Sequence, residues 1–95
     1  MTLEQIELAR HALGLPNKRN CSYRNRFVTG AGGADFLIWE QMVTNGVARK
    51  RKGSALTGGD DLFFLTTVGA IEALKPGEKL DREDFPRAAL AERGE

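Results

Sequence analysis

The sequence predicts a single α+β domain of about three helices and a two-stranded β-hairpin. Two segments, 2–13 and 35–45, repeat apolar residues at helical spacing between capping and stop residues. A basic run, Val47 to Lys52, and an apolar run, Leu62 to Leu65, flank a Gly/Ser/Thr-rich stretch, as the strands of a hairpin do. The 95 residues, 41% hydrophobic and 28% charged, suit one modest core.

The first helix opens at Thr2, followed three residues later by Gln5, a capping box in which each side chain satisfies a backbone N–H of the first turn. Leu3, Ile6, Ala9, Ala12 and Leu13 fall on one side of it; Glu4, Gln5, Glu7, Arg10 and His11 fall on the other. Gly14 supplies a left-handed stop and Pro16 cannot extend the helix, which therefore ends near Leu13. From Leu15 to Gly33, asparagines and glycines break any long period. Within that stretch, Ser22 to Val28 is expected to make two helical turns, with its aromatics inward and Arg24 and Arg26 outward. Asp35 stands in the first turn of the second helix, where a carboxylate complements the exposed N–H groups. Phe36, Ile38, Trp39, Met42 and Val43 form its buried face. Glu40, Gln41, Thr44 and Asn45 form its polar face, with Leu37 among them, and Asn45-Gly46 stops it.

The hairpin strands follow, the second apolar on both faces and so central or covered. Thr66 or Thr67 caps a third helix through Val68, Ala70, Ile71, Ala73 and Leu74, ended by Lys75-Pro76-Gly77. Residues 1–77 thus make the domain, and residues 78–95 a charged C-terminal extension, partly disordered, with Leu80 and Phe85 as its anchors. The expected core is Leu3, Ile6, Leu13, Phe36, Trp39, Val43, Leu62, Phe64, Leu65, Ile71 and Leu74.

A net charge of +1 hides an uneven distribution. Between Arg10 and Lys52 there are nine basic and two acidic residues, whereas residues 53–95 hold five basic and nine acidic ones. Such asymmetry favours a polyanionic partner for one face. No stretch is apolar enough to cross a membrane, and the single cysteine, Cys21, suits a reducing compartment, so a cytoplasmic protein without membrane contact is expected.

The junction Leu65-Thr66-Thr67-Val68-Gly69 matches a Leu-Thr-x-x-Gly pattern by which the second wing strand of many winged helix-turn-helix domains runs into a helix. The stretch Met42 to Arg49 is similar to the end of that family's recognition helix and the start of its wing. On these residues the chain resembles the winged-helix family over positions 34–74. More loosely, Tyr23 to Phe27 and the ending from Gly77-Glu78 to Asp84-Phe85-Pro86 resemble small uncharacterised proteins of phages and prophages. The family carries a compact helix just before its recognition helix; here that place holds Thr29-Gly30-Ala31-Gly32-Gly33. Either Ser22 to Val28 is the first helix of the pair, with a long turn, or the pair is degraded.

The resemblance implies a small winged-helix-like DNA-binding protein in which the helix at 35–45 enters the major groove. Gln41, Thr44 and Asn45 would then contact base edges, and Arg24, Arg26, Arg49, Lys50, Arg51 and Lys52 would contact phosphates. With no Arg or Lys on that helix and Glu40 present, binding is expected mainly through phosphates from the basic wing. The alternative is a protein-interaction or assembly module on the same scaffold, which exposed Tyr23, Phe27, Leu37 or Trp39 would favour; a homodimer fits either reading. No catalytic constellation stands out: His11 is the sole histidine, Cys21 has no partner base, Asp60-Asp61 reads as turn chemistry, and Gly30 to Gly33 lacks the rest of a phosphate-binding pattern. A non-enzymatic protein without metal or cofactor is the expectation.

Overall fold

The computed structural model describes residues 1–86. Helices α1 (Leu3–Leu13), α2 (Ala34–Thr44) and α3 (Thr67–Glu72) combine with strands β1 (Phe27–Thr29), β2 (Ala48–Arg51) and β3 (Asp61–Leu65). The strands form an antiparallel sheet in the order β1-β3-β2, so the all-apolar run is the central strand. The architecture is α+β, and the expected hairpin is extended by a third strand.

That third strand overturns the helix expected at Ser22 to Val28. The backbone there is extended, and its N–H groups find carbonyls far along the chain: Ser22 on Lys79, Tyr23 on Leu13 and Arg26 on Ala12, at 3.0–3.2 Å. Phe27, Val28 and Thr29 are aromatic and β-branched, suited to a pleated surface, and pair with Phe63, Leu62 and Asp61. The Asn25 carboxamide prolongs the register, donating to the Leu65 carbonyl at 3.0 Å and accepting from the Leu65 N–H at 2.8 Å. Residues 30–33 then connect β1 to α2 through a turn closed by Gly33 N–H on the Gly30 carbonyl. No helix stands between β1 and α2 among the described residues.

The Thr2/Gln5 capping box forms with both bonds near 3 Å, and Gly14 ends α1 at φ +81°. The buried stripe of α1, however, is Gln5, Ala9, Arg10, Ala12 and Leu13, while Leu3 is 75% exposed. At 100° per residue Leu3 lies about 160° from Gln5, so it cannot share the face on which small alanines let α2 and α3 approach. Ile71, also expected inside, is 48% exposed.

The core is an aromatic stack. Phe27, Trp39 and Phe63 lie 5.4–5.6 Å apart in sequence of contact, with Phe36 edge-on to Phe63. Met42, Leu13, Leu15, Val47, Ala48, Leu65, Ala70 and Ala73 close around it. Phe63 and Leu65, not Leu62 or Phe64, are the buried residues of β3, because successive strand residues point to opposite faces. Residues 78–86 pack against this body. Glu78 takes a bidentate bond from Arg10, Lys79 bridges Cys21, Asp81 N–H donates to Ser22 Oγ, and Phe85 is 3% exposed. The disorder expected toward the chain end falls, for residues 87–95, outside the described residues.

Candidate nucleic-acid interface

The sheet has two chemically different faces. Ala48, Lys50, Phe63, Leu65 and Phe27 point to the helices; Arg49, Arg51, Leu62, Phe64 and Val28 point the other way. Two cross-strand rows follow from the register: Val28 beside Leu62 beside Arg51, and Phe64 beside Arg49. Just beyond the last β1–β3 pair, strand alternation from Phe27, which points to the helices, turns Arg26 to the outer side at the β1 edge. Half-buried apolar side chains therefore run down the middle of this face, with arginines on both margins.

The basic residues singled out from sequence separate accordingly. Arg49 and Arg51 are exposed on the outer face, and the Arg51 guanidinium lies 5.7 Å from the centre of the Phe64 ring. Lys50, between them, turns to α2: its Nζ donates to Glu40 at 2.7 Å and lies 3.8 Å from Asp61. The Glu40 hydrogen bond, with the charges of Glu40 and Asp61, holds the Lys50 ammonium above the ordinary lysine range. Arg26, Arg49, Arg51 and Lys52 form no ion pair among the described residues. Arg24 sits over Tyr23 and donates through Nη2 to the His11 carbonyl at 2.7 Å, at the negative end of α1. Arg24 and Arg26 line one shallow concavity with His11, Phe27, Val28 and Leu56.

Gln41, Thr44 and Asn45 are exposed and share a different concavity, with Leu37 and the start of α1. Thr44 Oγ1 bonds back to the Glu40 carbonyl at 3.2 Å, in the same helix. Because α2 lies against the inner face of β2, this set and the outer-face arginines do not come together.

Arg10, assigned from sequence to the polar side of α1, is buried and committed to Glu78 and to the Ala73 carbonyl at 3.0 Å. Val28, Leu62 and Phe64 were not legible as a site, since the run Leu62 to Leu65 is apolar at every position and its alternation is silent. One acidic group borders the face: Asp84 lines a concavity with Arg49 and Phe64. Burial, with the neighbouring Asp81 and Glu83, pushes its carboxyl above the ordinary range.

The remaining sequence candidates make packing and backbone contacts. His11 packs edge-on to Phe27, and Cys21 belongs to the bridge with Lys79. At Gly30 a Cβ would lie 2.4 Å from Asp60 Oδ1, so that glycine is a close-packing position. Among the described residues no three His, Cys, Asp or Glu side chains gather as a metal site, and no helix is long and apolar enough to cross a membrane. Comparison with family models, curated proteins and solved structures found no match to this chain.

Proposed function

We propose that this chain is a small non-enzymatic protein that binds nucleic acid through phosphate contacts from the outer face of its sheet. The observation that carries the reading is the set Arg26, Arg49 and Arg51 on one face, free of carboxylate partners among the described residues. Arg24 and Lys52 extend it at the margins. The winged-helix resemblance supports the same reading: one helix precedes β1, the strand order is β1-β3-β2, and a Thr-capped helix follows β3. The direct passage from β1 to α2 departs from that family, and with it the role of Gln41, Thr44 and Asn45 as base readers becomes secondary. A cytoplasmic site of action goes with this reading.

The test is fluorescence anisotropy with labelled mixed-sequence oligonucleotides, single-stranded and duplex, at about 50 and 200 mM salt. Three arginine–phosphate contacts predict a drop in affinity of roughly 20- to 40-fold between those conditions. The double substitution Arg49→Ala, Arg51→Ala removes two contacts, so it weakens binding to all sequences and shrinks the salt effect about tenfold. Unchanged affinity in the double variant removes the sheet face from the reading. A second reading, a protein-interaction module, is favoured by Leu37, 69% exposed on α2; absence of binding to either oligonucleotide at the lower salt selects it.

A further inference from the structure

We infer that the outer face of the sheet prefers unpaired nucleotides, stacking bases on Phe64 between the arginine margins, over an intact duplex. This inference rests on the nucleic-acid reading above. A duplex turns phosphates outward and keeps the flat faces of its bases inside, so it meets Arg26, Arg49 and Arg51 but has nothing to place on an apolar strip. A single strand offers both: a charged backbone for the arginines and open π-faces for an aromatic ring. The observed rows match that pair of chemistries. Phe64 and Leu62 lie on the central strand, Arg49 and Arg51 beside them on β2, and Arg26 directly precedes the paired residues of β1 on the other edge.

The Phe64 ring is half-buried and covered on one side by the Arg51 guanidinium. An exposed cation–π contact is weaker than base–aromatic stacking, so a base can take that place while Arg51 turns to the adjoining phosphate. Asp84, which lines a concavity with Asn25, Arg49 and Phe64, opposes phosphate at that end of the face and leaves the Arg51 end as the favoured path for the backbone. The chemistry recognised is an unpaired nucleotide, from DNA or RNA alike.

The experiment compares the full chain with labelled strands of about 12 nucleotides, oligo-dT and oligo-U, and a duplex of the same length, at about 50 mM salt. Binding of either single strand at least roughly tenfold tighter than the duplex is the expected result. Phe64→Leu keeps an apolar side chain and lowers single-strand affinity about tenfold, with duplex affinity unchanged. Fluorescence of Trp39, buried against Phe63, reports that the variant is folded. Duplex binding as tight as single-strand binding, or a folded Phe64→Leu protein with unaltered single-strand affinity, overturns the inference and leaves the phosphate-binding reading standing. No binding to any of the three overturns both.

Discussion

Arg49, Lys50 and Arg51 are consecutive and carry the same charge, yet they meet different partners. Strand alternation turns the two arginines outward and sends Lys50 to Glu40, so one of the three charges is paired within the protein's own surface. The converse case is Asp84, an acid placed beside Arg49 and Phe64. Its carboxyl titrates above the ordinary range, chiefly through burial, and in its charged form opposes an incoming phosphate. Asp84→Asn is therefore expected to strengthen oligonucleotide binding by about two- to threefold at low salt, the size of one solvent-screened charge–charge interaction. The gain disappears as pH falls toward the Asp84 pKa, because the native carboxyl is then neutral too. Anisotropy titrations of both proteins at several pH values read this directly.

At the scale of elements, the junction between β3 and α3 explains why Leu65-Thr66-Thr67-Val68-Gly69 reads as it does. Thr66 Oγ1 accepts the Gly69 N–H at 3.2 Å as the helix cap and donates to the Gly46 carbonyl, while Thr66 N–H bonds the Val47 carbonyl. The helix start is thereby tied to the start of β2. Gly69 faces the same carbonyl: a Cβ there would sit 2.0 Å from Val47 O. Backbone cannot step aside as a flexible side chain does, so Gly69→Ala is expected to destabilise the fold by about 1–3 kcal/mol. Urea unfolding followed by Trp39 fluorescence measures it. A loss below about 0.5 kcal/mol would mean that α3 is free to shift away from β2.

For the molecule as a whole, the decisive long-range tie is Arg10 with Glu78, which joins α1 to the segment after α3. Both side chains are less than a tenth exposed. The Arg10 hydrogen bonds hold the Glu78 carboxyl at about 2, well below its ordinary 4.5, against the opposing effect of burial. A depressed folded-state pKa contributes stability that is fully present above about 4.5 and is lost as pH falls through about 2. The amount is on the order of 3 kcal/mol. Glu78→Gln leaves Arg10 buried and unpaired, which costs about 3–5 kcal/mol at neutral pH. Denaturant melts at pH 7, 4 and about 2 should show wild-type stability falling across that range and the variant's falling much less. Parallel pH curves would remove the pair from the account of acid stability.

The sequence by itself determined the local signals. Thr2 with Gln5, the Gly14 stop, Asp35 in the first turn of α2, Thr66 at the start of α3 and the hairpin around Gly53 to Asp60 all act within a few residues, so they are legible without a partner element. Tertiary structure decided everything that depends on a neighbour distant in sequence. Phe27 to Thr29 became a strand because β3 offered an open edge, where local pattern alone suggested helix. Leu3 dropped out of the α1 face that Ala9, Ala12 and Leu13 do form, because α2 and α3 approach α1 from the side away from it. Arg10 and Lys50 acquired carboxylate partners that no spacing announces. The outer sheet face exists only in the register that sets Val28, Leu62 and Arg51 in one row and Phe64 beside Arg49 in the next, and register is a property of three strands together.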